Sequence, residues 1–448
     1  MIPRVSVVLP VYNTVGYLER CLESVLHQDI LAEELEVIAV DDGSTDGSGE
    51  LLDSYAARDE RVVVIHQENS GWPGQPRNRA AAVSRGRYVF FMDSDDQLGR
   101  EAMRRMCDFA DENGSDIVVP RIVPFPARRW IWRETVVDAD LRVAFYTLSP
   151  QKLFRRSFIE TQGLRFPAGK VRLEDGMYSA QAYLCASRVS ILGGYDFYHK
   201  WRRDDGTNIS CQTSEARAYL GSVSAILDII RKYAKDDDLA DDLVQIIWDR
   251  KALRKLRPRS ILTWDDKTRS EWVAAIGAVG ESHVPRDLDR RLTAFDQLRS
   301  EFVRNGDIDA LVALAKAEAA GKPRQVVTKD GRVHRDRRSR SAVRRDIGDQ
   351  KALEADIDAI RETLRGTDVA RYPWERRLQT LISSIGRGRM RPVLAKLNPQ
   401  AAAPYGKRGL RDDRWHSPLA GLALLLHLND TVGPSFSDLL NALAGVAS

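Results

Sequence analysis

The 448 residues carry 68 lysines and arginines against 64 aspartates and glutamates, with 43% hydrophobic and 29% charged residues. That length exceeds one ordinary core and sets an expectation of two or three domains. The net charge of +4 is too mild to argue for a nucleic-acid partner. Four cysteines, Cys21, Cys107, Cys185 and Cys211, stand far apart with no CxxC pair, a pattern that argues against zinc and fits reduced thiols in a cytosolic protein.

In chain order, Arg4 precedes the apolar Val5–Val11. That run is short, contains Pro10 and is followed by no small-residue cleavage site, so it reads as a first strand rather than a leader. Leu18, Cys21, Leu22, Val25 and Leu26 recur at helical spacing and predict an amphipathic helix over 15–28. Strand Leu35–Val40, a helix near 46–57, strand Val62–His66, a Gly/Pro-rich loop Glu68–Pro76, a helix near 77–85 and strand Tyr88–Met92 follow. A helix near 100–113 and strand Asp116–Val119 complete the alternation, which predicts a parallel sheet covered on both faces. Ligands of such sheets bind beyond the carboxyl ends of the strands. Three of these ends carry polar clusters: Pro10–Asn13, Asp41–Ser44 and Asp93–Asp96.

From 121 to 212 the pattern loosens, with Trp130 and Trp132 among prolines and arginines, then Glu174-Asp175 opening a helical stretch and a polar run from Tyr198 to Ser210. Helices are predicted over 214–234, 238–256, 268–279, 286–304 and 307–320. Lys322–Arg345 contains ten lysines and arginines, with a hairpin turn at Asp330-Gly331. Further helix is predicted near 350–366 and 374–385. No apolar run reaches the roughly 18 residues that cross a bilayer. The longest, Pro418–Leu428, suits a buried or interfacial helix.

The chemistry concentrates in Arg87–Asp96, RYVFFMDSDD. Three carboxylates after a buried strand repel one another and call for a positive partner. Asp93 and Asp95, at i and i+2, have the spacing of a divalent-cation site that grips a diphosphate, since hard cations take carboxylate, phosphate and water oxygens. A solvated acidic turn is the competing reading. The strand before the pair favours the site, and Asp96 reads as a cap for the next helix. Asp42 can accept from a base or ribose, with Gly43 permitting close approach, or can serve an ordinary cap and turn. Glu174-Asp175 taken alone reads as a helix N-terminus that favours acids. Trp72 and Trp130 can stack on sugar rings or simply pack in the core.

Four ordered stretches, VSVVLPVYNTVGYLERCLESVL, VIAVDDGSTDGS, NSGWPGQPRNRAAAVSRGRYVFFMDSDD and LEDG, together resemble the family 2 glycosyltransferases of the GT-A fold over residues 4–212. The Ser70–Asn78 variant further resembles bacterial enzymes that glycosylate wall teichoic acid. The resemblance implies an α/β GT-A domain with a Rossmann-like mixed sheet over 1–212. A helical region over 213–320, a basic linker over 321–349 and a mainly helical region over 350–448 follow it. It implies that Pro10, Tyr12, Asp42, Asn69, Arg77, Asp93, Ser94, Arg203 and Ser210 bind the nucleotide-sugar, with Arg202 next to them. Asp95 would hold Mn²⁺ or Mg²⁺, Asp175 would be the catalytic base, and Glu174, Trp72 and Asn208 would support or face the acceptor. Asn208 stands near a position where relatives carry a metal-binding His, so a second protein ligand is open, and His199 reads as structural or as an acceptor contact.

The implied activity is inverting transfer of a hexose or N-acetylhexosamine from a UDP-sugar to a cell-envelope acceptor, foremost a polyol-phosphate polymer. A capsule, exopolysaccharide or lipid-linked acceptor is the alternative, and a non-catalytic glycan-binding scaffold is the alternative of another class. The expected location is cytoplasmic or peripheral on the inner membrane face. The basic linker would serve as a solvated tether or meet an anionic polymer or lipid. The C-terminal half is open to oligomerisation.

Overall fold

The computed structural model describes residues 2–125, 132, 134–203, 206 and 214–319, and the backbone of 326–329 and 332–335. The chain divides into two compact units, Met1–Glu318 with Gln325–Arg361, and Ala319–Arg324 with Glu362–Ser448. The elements below lie in the first, save the last residue of the final helix. Trp130, Asn208, Ser210, Cys211, most of the basic linker and the helices expected beyond 350 fall outside the described residues.

The strands are β1 (Val5–Val11), β2 (Leu35–Asp41), β3 (Val62–His66), β4 (Tyr88–Phe91), β5 (Gln97–Leu98), β6 (Ile117–Pro120), β7 (Ile122–Pro124), β8 (Leu153–Arg155), β9 (Val189–Leu192) and β10 (Tyr198–Lys200). The helices beside them are α1 (Val15–Leu26), α2 (Ser48–Ala56), α3 (Gly74–Val83), α4 (Ala102–Asn113), α5 (Leu141–Ala144), α6 (Arg156–Thr161) and α7 (Glu174–Cys185). Seven strands form one sheet in the order β3-β2-β1-β4-β8-β6-β9. Neighbours run parallel except at β8, which is antiparallel to both β4 and β6. The strands read from the alternation over 4–120 thus run parallel, and β8, from the looser stretch after 121, makes the sheet mixed, as the resemblance implies. A parallel strand needs a crossover connection, and the chain instead enters β8 from the irregular stretch after α5. A second, three-stranded sheet in the order β5-β10-β7 stands beside the ends of β4 and β6.

Both faces of the large sheet are covered, as its apolar strands require. Val7, Leu9, Val37 and Phe90 pack toward Leu18, Cys21 and Leu22 of α1 and Met103 and Met106 of α4. Val8, Ile38, Val89 and Phe91 pack on the opposite face with Ala80 of α3 and Tyr178 of α7. Phe91 meets Phe154, Phe166 and Tyr178 edge-on, and the rings of Phe166 and Tyr178 stack 4.0 Å apart. This cluster fixes α7 against the end of β4, placing Glu174 and Asp175 over the strand that delivers Asp93.

The same core continues into the helices α8 (Ala216–Tyr233), α9 (Asp237–Ile247), α10 (Pro258–Ile261), α11 (Asp266–His283), α12 (Ala294–Arg304) and α13 (Ile308–Ala319). The helix expected over 238–256 is interrupted: α9 ends at Ile247, a π turn spans Trp248–Ala252, and a 3₁₀ turn closes at Leu256, just before Arg257 and Pro258. The helix expected over 286–304 also splits, because Thr293 caps α12. Its hydroxyl accepts from the Asp296 amide and donates to the Asp296 carboxylate at 2.8 Å. Strands β11 (Val326–Lys329) and β12 (Arg332–Arg335) pair antiparallel, Lys329 opposite Arg332, as the hairpin reading anticipates. Among the described residues no helix is long and apolar enough to cross a membrane.

Candidate active site

The loop after β4 carries the acids. Ligand oxygens of Asp93, Asp95 and Asp96 all lie within 4.8 Å of one another. Each acid has a distinct task. Asp93 presents both oxygens to protein donors: Arg77 Nη2 at 2.8 Å and Gln151 Nε2 at 2.6 Å. Arg77, Lys200 and Arg203 outweigh its burial and hold its carboxyl below the ordinary value. Asp95 accepts from Arg203 Nε at 2.6 Å. Burial and the charge of Asp93 push its carboxyl up, against Arg203 and Lys200. Burial pushes Asp96 well above the usual carboxylate range.

Asp96 does not cap the following helix. That helix begins at Ala102, after Glu101. The Asp96 carboxylate accepts instead from the Trp201 amide at 2.7 Å and the Tyr198 hydroxyl at 2.6 Å. It therefore ties the acidic loop to β10. Tyr198 completes the tie, accepting from the Asp93 amide at 3.1 Å. Ser94, between the acids, is buried.

Arg77 bridges the two sides of the cleft. Its Nη1 donates to Glu174 Oε1 at 3.0 Å while Nη2 holds Asp93. The side chain is only 5% exposed. Both forks are thus spent on protein carboxylates, so Arg77 shapes the site from beneath rather than reaching outward. Trp72 is buried and donates Nε1 to Glu174 Oε2 at 2.9 Å, which suits packing rather than sugar stacking. Burial and the neighbouring Asp175 raise the Glu174 carboxyl despite these two donors. Asp175, in the first turn of α7, is half-buried, and its Oδ1 accepts from the Gly176 amide at 2.7 Å. Leu173 before it has φ +57°, the left-handed value that turns the chain sharply into α7.

At the β2 end, Asp42 is buried and accepts from Gln67 Nε2, the Ser70 amide and the Ser70 hydroxyl at 2.5, 3.0 and 2.9 Å. Asn69 bridges the Asp42 carbonyl and the Gly71 amide. Both therefore hold the 67–71 loop in shape. Gly43 is obligatory there: its φ is +74°, and a Cβ would meet the Asn69 nitrogen at 2.9 Å. Pro10 is buried at the end of β1, and Tyr12 beyond it is 49% exposed. His199 packs its half-buried ring 5.5 Å from Phe125, a structural placement.

Four residues without an assigned role complete the site. Gln151 fixes Asp93. Lys152 is fully buried, with its ammonium on the Ser149 carbonyl, and burial pulls it down to about 7. Lys200 reaches solvent yet is ringed by protein. Partial desolvation lowers its ammonium, and Asp93, Asp96, Asp175 and Asp95 more than offset that. Arg20 donates Nη2 to the Asp95 carbonyl at 3.2 Å and lies 4.2 Å over the Trp201 ring. Lys200 belongs to the polar run from Tyr198, which was a usable signal. Gln151-Lys152 has only one, two polar residues directly before a short apolar strand.

The donor set suits a hard divalent cation. All candidate ligands are carboxylate oxygens, gathered within 4.8 Å of one another, the ligand type that Mg²⁺ and Mn²⁺ take.

Residues 6–173 match the family model described as Glycosyl transferase family 2, and residues 216–315 match the Glycosyl transferase TarS linker domain. A poly(ribitol-phosphate) beta-glucosyltransferase of Bacillus spizizenii is 32% identical over 323 residues, 70% of this chain and 50% of that protein. The poly(ribitol-phosphate) beta-N-acetylglucosaminyltransferase TarP of Staphylococcus aureus is 28% identical over 332 residues, 70% of this chain and 99% of TarP. The crystal structure of S. aureus TarS 1-349 in complex with UDP-GlcNAc superposes with a TM-score of 0.65 at 26% identity, covering 74% of this chain and 95% of that one. The chain spans about half the length of the Bacillus relative. The chain thus carries a family 2 glycosyltransferase domain of GT-A fold, followed by a TarS-type linker domain.

Proposed function

We propose that this protein transfers a hexose or N-acetylhexosamine from a UDP-sugar to a poly(ribitol-phosphate)-like cell-envelope polymer, with inversion at the anomeric carbon. The observation that carries the reading is the Arg77 bridge. One buried guanidinium joins Asp93 at the donor strand end to Glu174 at the start of α7, and so places Asp175 opposite the acidic loop. The donor side then comprises Tyr12, Asp93, Asp95 and Arg203, and the acceptor side Asp175. Asp95, beside Asp93, would hold Mg²⁺ or Mn²⁺, which when bound supplies charge to stabilise the departing diphosphate. Arg203, which pairs with Asp95, would turn the rest of its fork to the same phosphates. Asp175 accepts the proton of the attacking hydroxyl.

The acceptor class is supported by the charges behind Asp175. Burial lowers the Lys251 ammonium against the pull of Asp175, and burial with Lys251 and Arg172 lowers Lys255. Lys255 lies 4.2 Å from the Tyr219 ring centre, and Arg172 lies 5.1 Å from that of Trp72. Lys251 and Lys255 thus add positive charge behind Asp175, which a phosphate-bearing polymer complements.

The test is a screen of UDP-sugars for thermal stabilisation and for UDP release, with and without Mn²⁺. A donor at about 100 times its Kd stabilises by about 2.7 kcal/mol. Asp95→Ala is expected to lose the cation-dependent part. A protein that no UDP-sugar stabilises, and that releases no UDP, contradicts the reading.

A further inference from the structure

We propose that Gln151 is a specificity-determining residue: it orients Asp93 and accepts, through Oε1, a hydrogen bond from a hydroxyl of the transferred sugar. The inference rests on the donor reading above and extends it to the sugar itself. Gln151 is 1% exposed. Its Nε2 donates to Asp93 Oδ2 at 2.6 Å. An ionised carboxylate only accepts, so the amide must turn its NH₂ toward Asp93, which leaves the carbonyl oxygen for another partner. Among the described residues that oxygen has none: Oε1 is buried and unpaired. A buried acceptor without a donor is costly and uncommon, and it marks a place where a ligand or water is expected.

Its position points to the ligand. The segment Ser149–Lys152 is hydrogen-bonded to both sides of the site. Gln151 binds Asp93 on the donor side. The Ser149 carbonyl takes the hydroxyl of Ser179, one helical turn beyond Asp175, and also the Lys152 ammonium. A group transferred from a diphosphate near Asp95 to a hydroxyl near Asp175 moves between the two sides that this segment joins. Arg77 already holds Asp93 Oδ1, so Gln151 fixes the second oxygen and with it the plane of the carboxylate. Because Oε1 is buried, the proposal requires the side chains that cover it to move aside when the sugar seats against Asp93.

The test uses the full chain with Mn²⁺ and measures affinity for UDP, UDP-glucose, UDP-N-acetylglucosamine and the 3-, 4- and 6-deoxy analogues of UDP-glucose. Gln151→Met keeps the length and removes both polar atoms. It is expected to weaken the preferred UDP-sugar about five- to tenfold and to leave UDP within about twofold. The wild type is expected to bind one deoxy analogue poorly, and Gln151→Met is expected to bind that analogue and its parent equally, the signature of a direct pair. Equal weakening of UDP and UDP-sugar, or no weakening, overturns the inference. If Gln151→Met does not fold, Gln151→Asn, one methylene too short to reach both partners, is read by the same criteria. A wild type that binds UDP but no UDP-sugar overturns the inference, and one that binds neither overturns the proposed function as well.

Discussion

Replacing Arg77 by methionine separates the two sides of the site at one atom group. Methionine fills the stem of the arginine but strands two carboxylates, Asp93 and Glu174. Removing one partner of a buried ion pair costs roughly 3–5 kcal/mol. Here Asp93 keeps Gln151 and a 27% exposed side chain, and Glu174 keeps Trp72, so the low end, about 3 kcal/mol, applies. For a body of this size that is a fall of roughly 6 °C in Tm, at about 2 °C per kcal/mol.

The effect is pH-dependent, with a definite sign. In the wild type Asp93 is lowered and Glu174 raised. Without Arg77 both carboxyls move upward. A carboxyl raised in the folded state destabilises above that raised value, and the penalty fades as pH falls through it. The gap in Tm between wild type and Arg77→Met is therefore expected to be larger at pH 8 than at pH 5. Arg77→Lys restores the charge but not the fork, so it recovers only part of the loss. Calorimetry of the three proteins at the two pH values is the assay. A Tm within 2 °C of wild type at pH 8, or a gap that widens as pH falls, refutes the bridging role.

Asp175→Asn is expected to fold normally and to lower kcat by about 10²- to 10⁴-fold, with UDP-sugar affinity retained by titration. Lys152 is held near 7 in the fold, far below the unfolded lysine. It therefore destabilises the protein at low pH, and this penalty lessens between pH 7 and 10. Differential scanning of Lys152→Met should show a Tm, relative to wild type, more favourable at pH 6 than at pH 9. Lys251→Gln with Lys255→Gln is expected to raise the KM for a ribitol-phosphate polymer and flatten its salt dependence, with the KM for UDP-sugar unchanged. An equal rise in both KM values would remove these lysines from the acceptor side.

Much of this was readable in the residues, and the reasons differ by region. The strands β1 to β4 bury both faces, so their continuous apolar runs and the polar clusters at their ends stand out in the chain. The strand β8 was hidden, because three residues after an irregular stretch carry no periodicity, and with it went Gln151 and Lys152. Asp96 was misplaced because an acid near a helix start looks like a cap, and only pairing with β10 shows its tie to Tyr198 and Trp201. Asp42, Asn69 and Arg77 were found by motif, but their motif does not say whether they face a ligand or hold one another. The breaks at Trp248 and Thr293 come from a π turn and a local cap, which helical spacing alone averages over.

The central claim is most directly tested by incubating the protein with Mn²⁺, a stabilising UDP-sugar and a poly(ribitol phosphate) acceptor, and then measuring UDP release and the anomeric configuration of the polymer-bound sugar. The account predicts UDP release that increases with polymer and an inverted glycoside, with both formed about 10²- to 10⁴-fold more slowly by Asp175→Asn. Release with retained configuration, or equal product from Asp175→Asn, would contradict it.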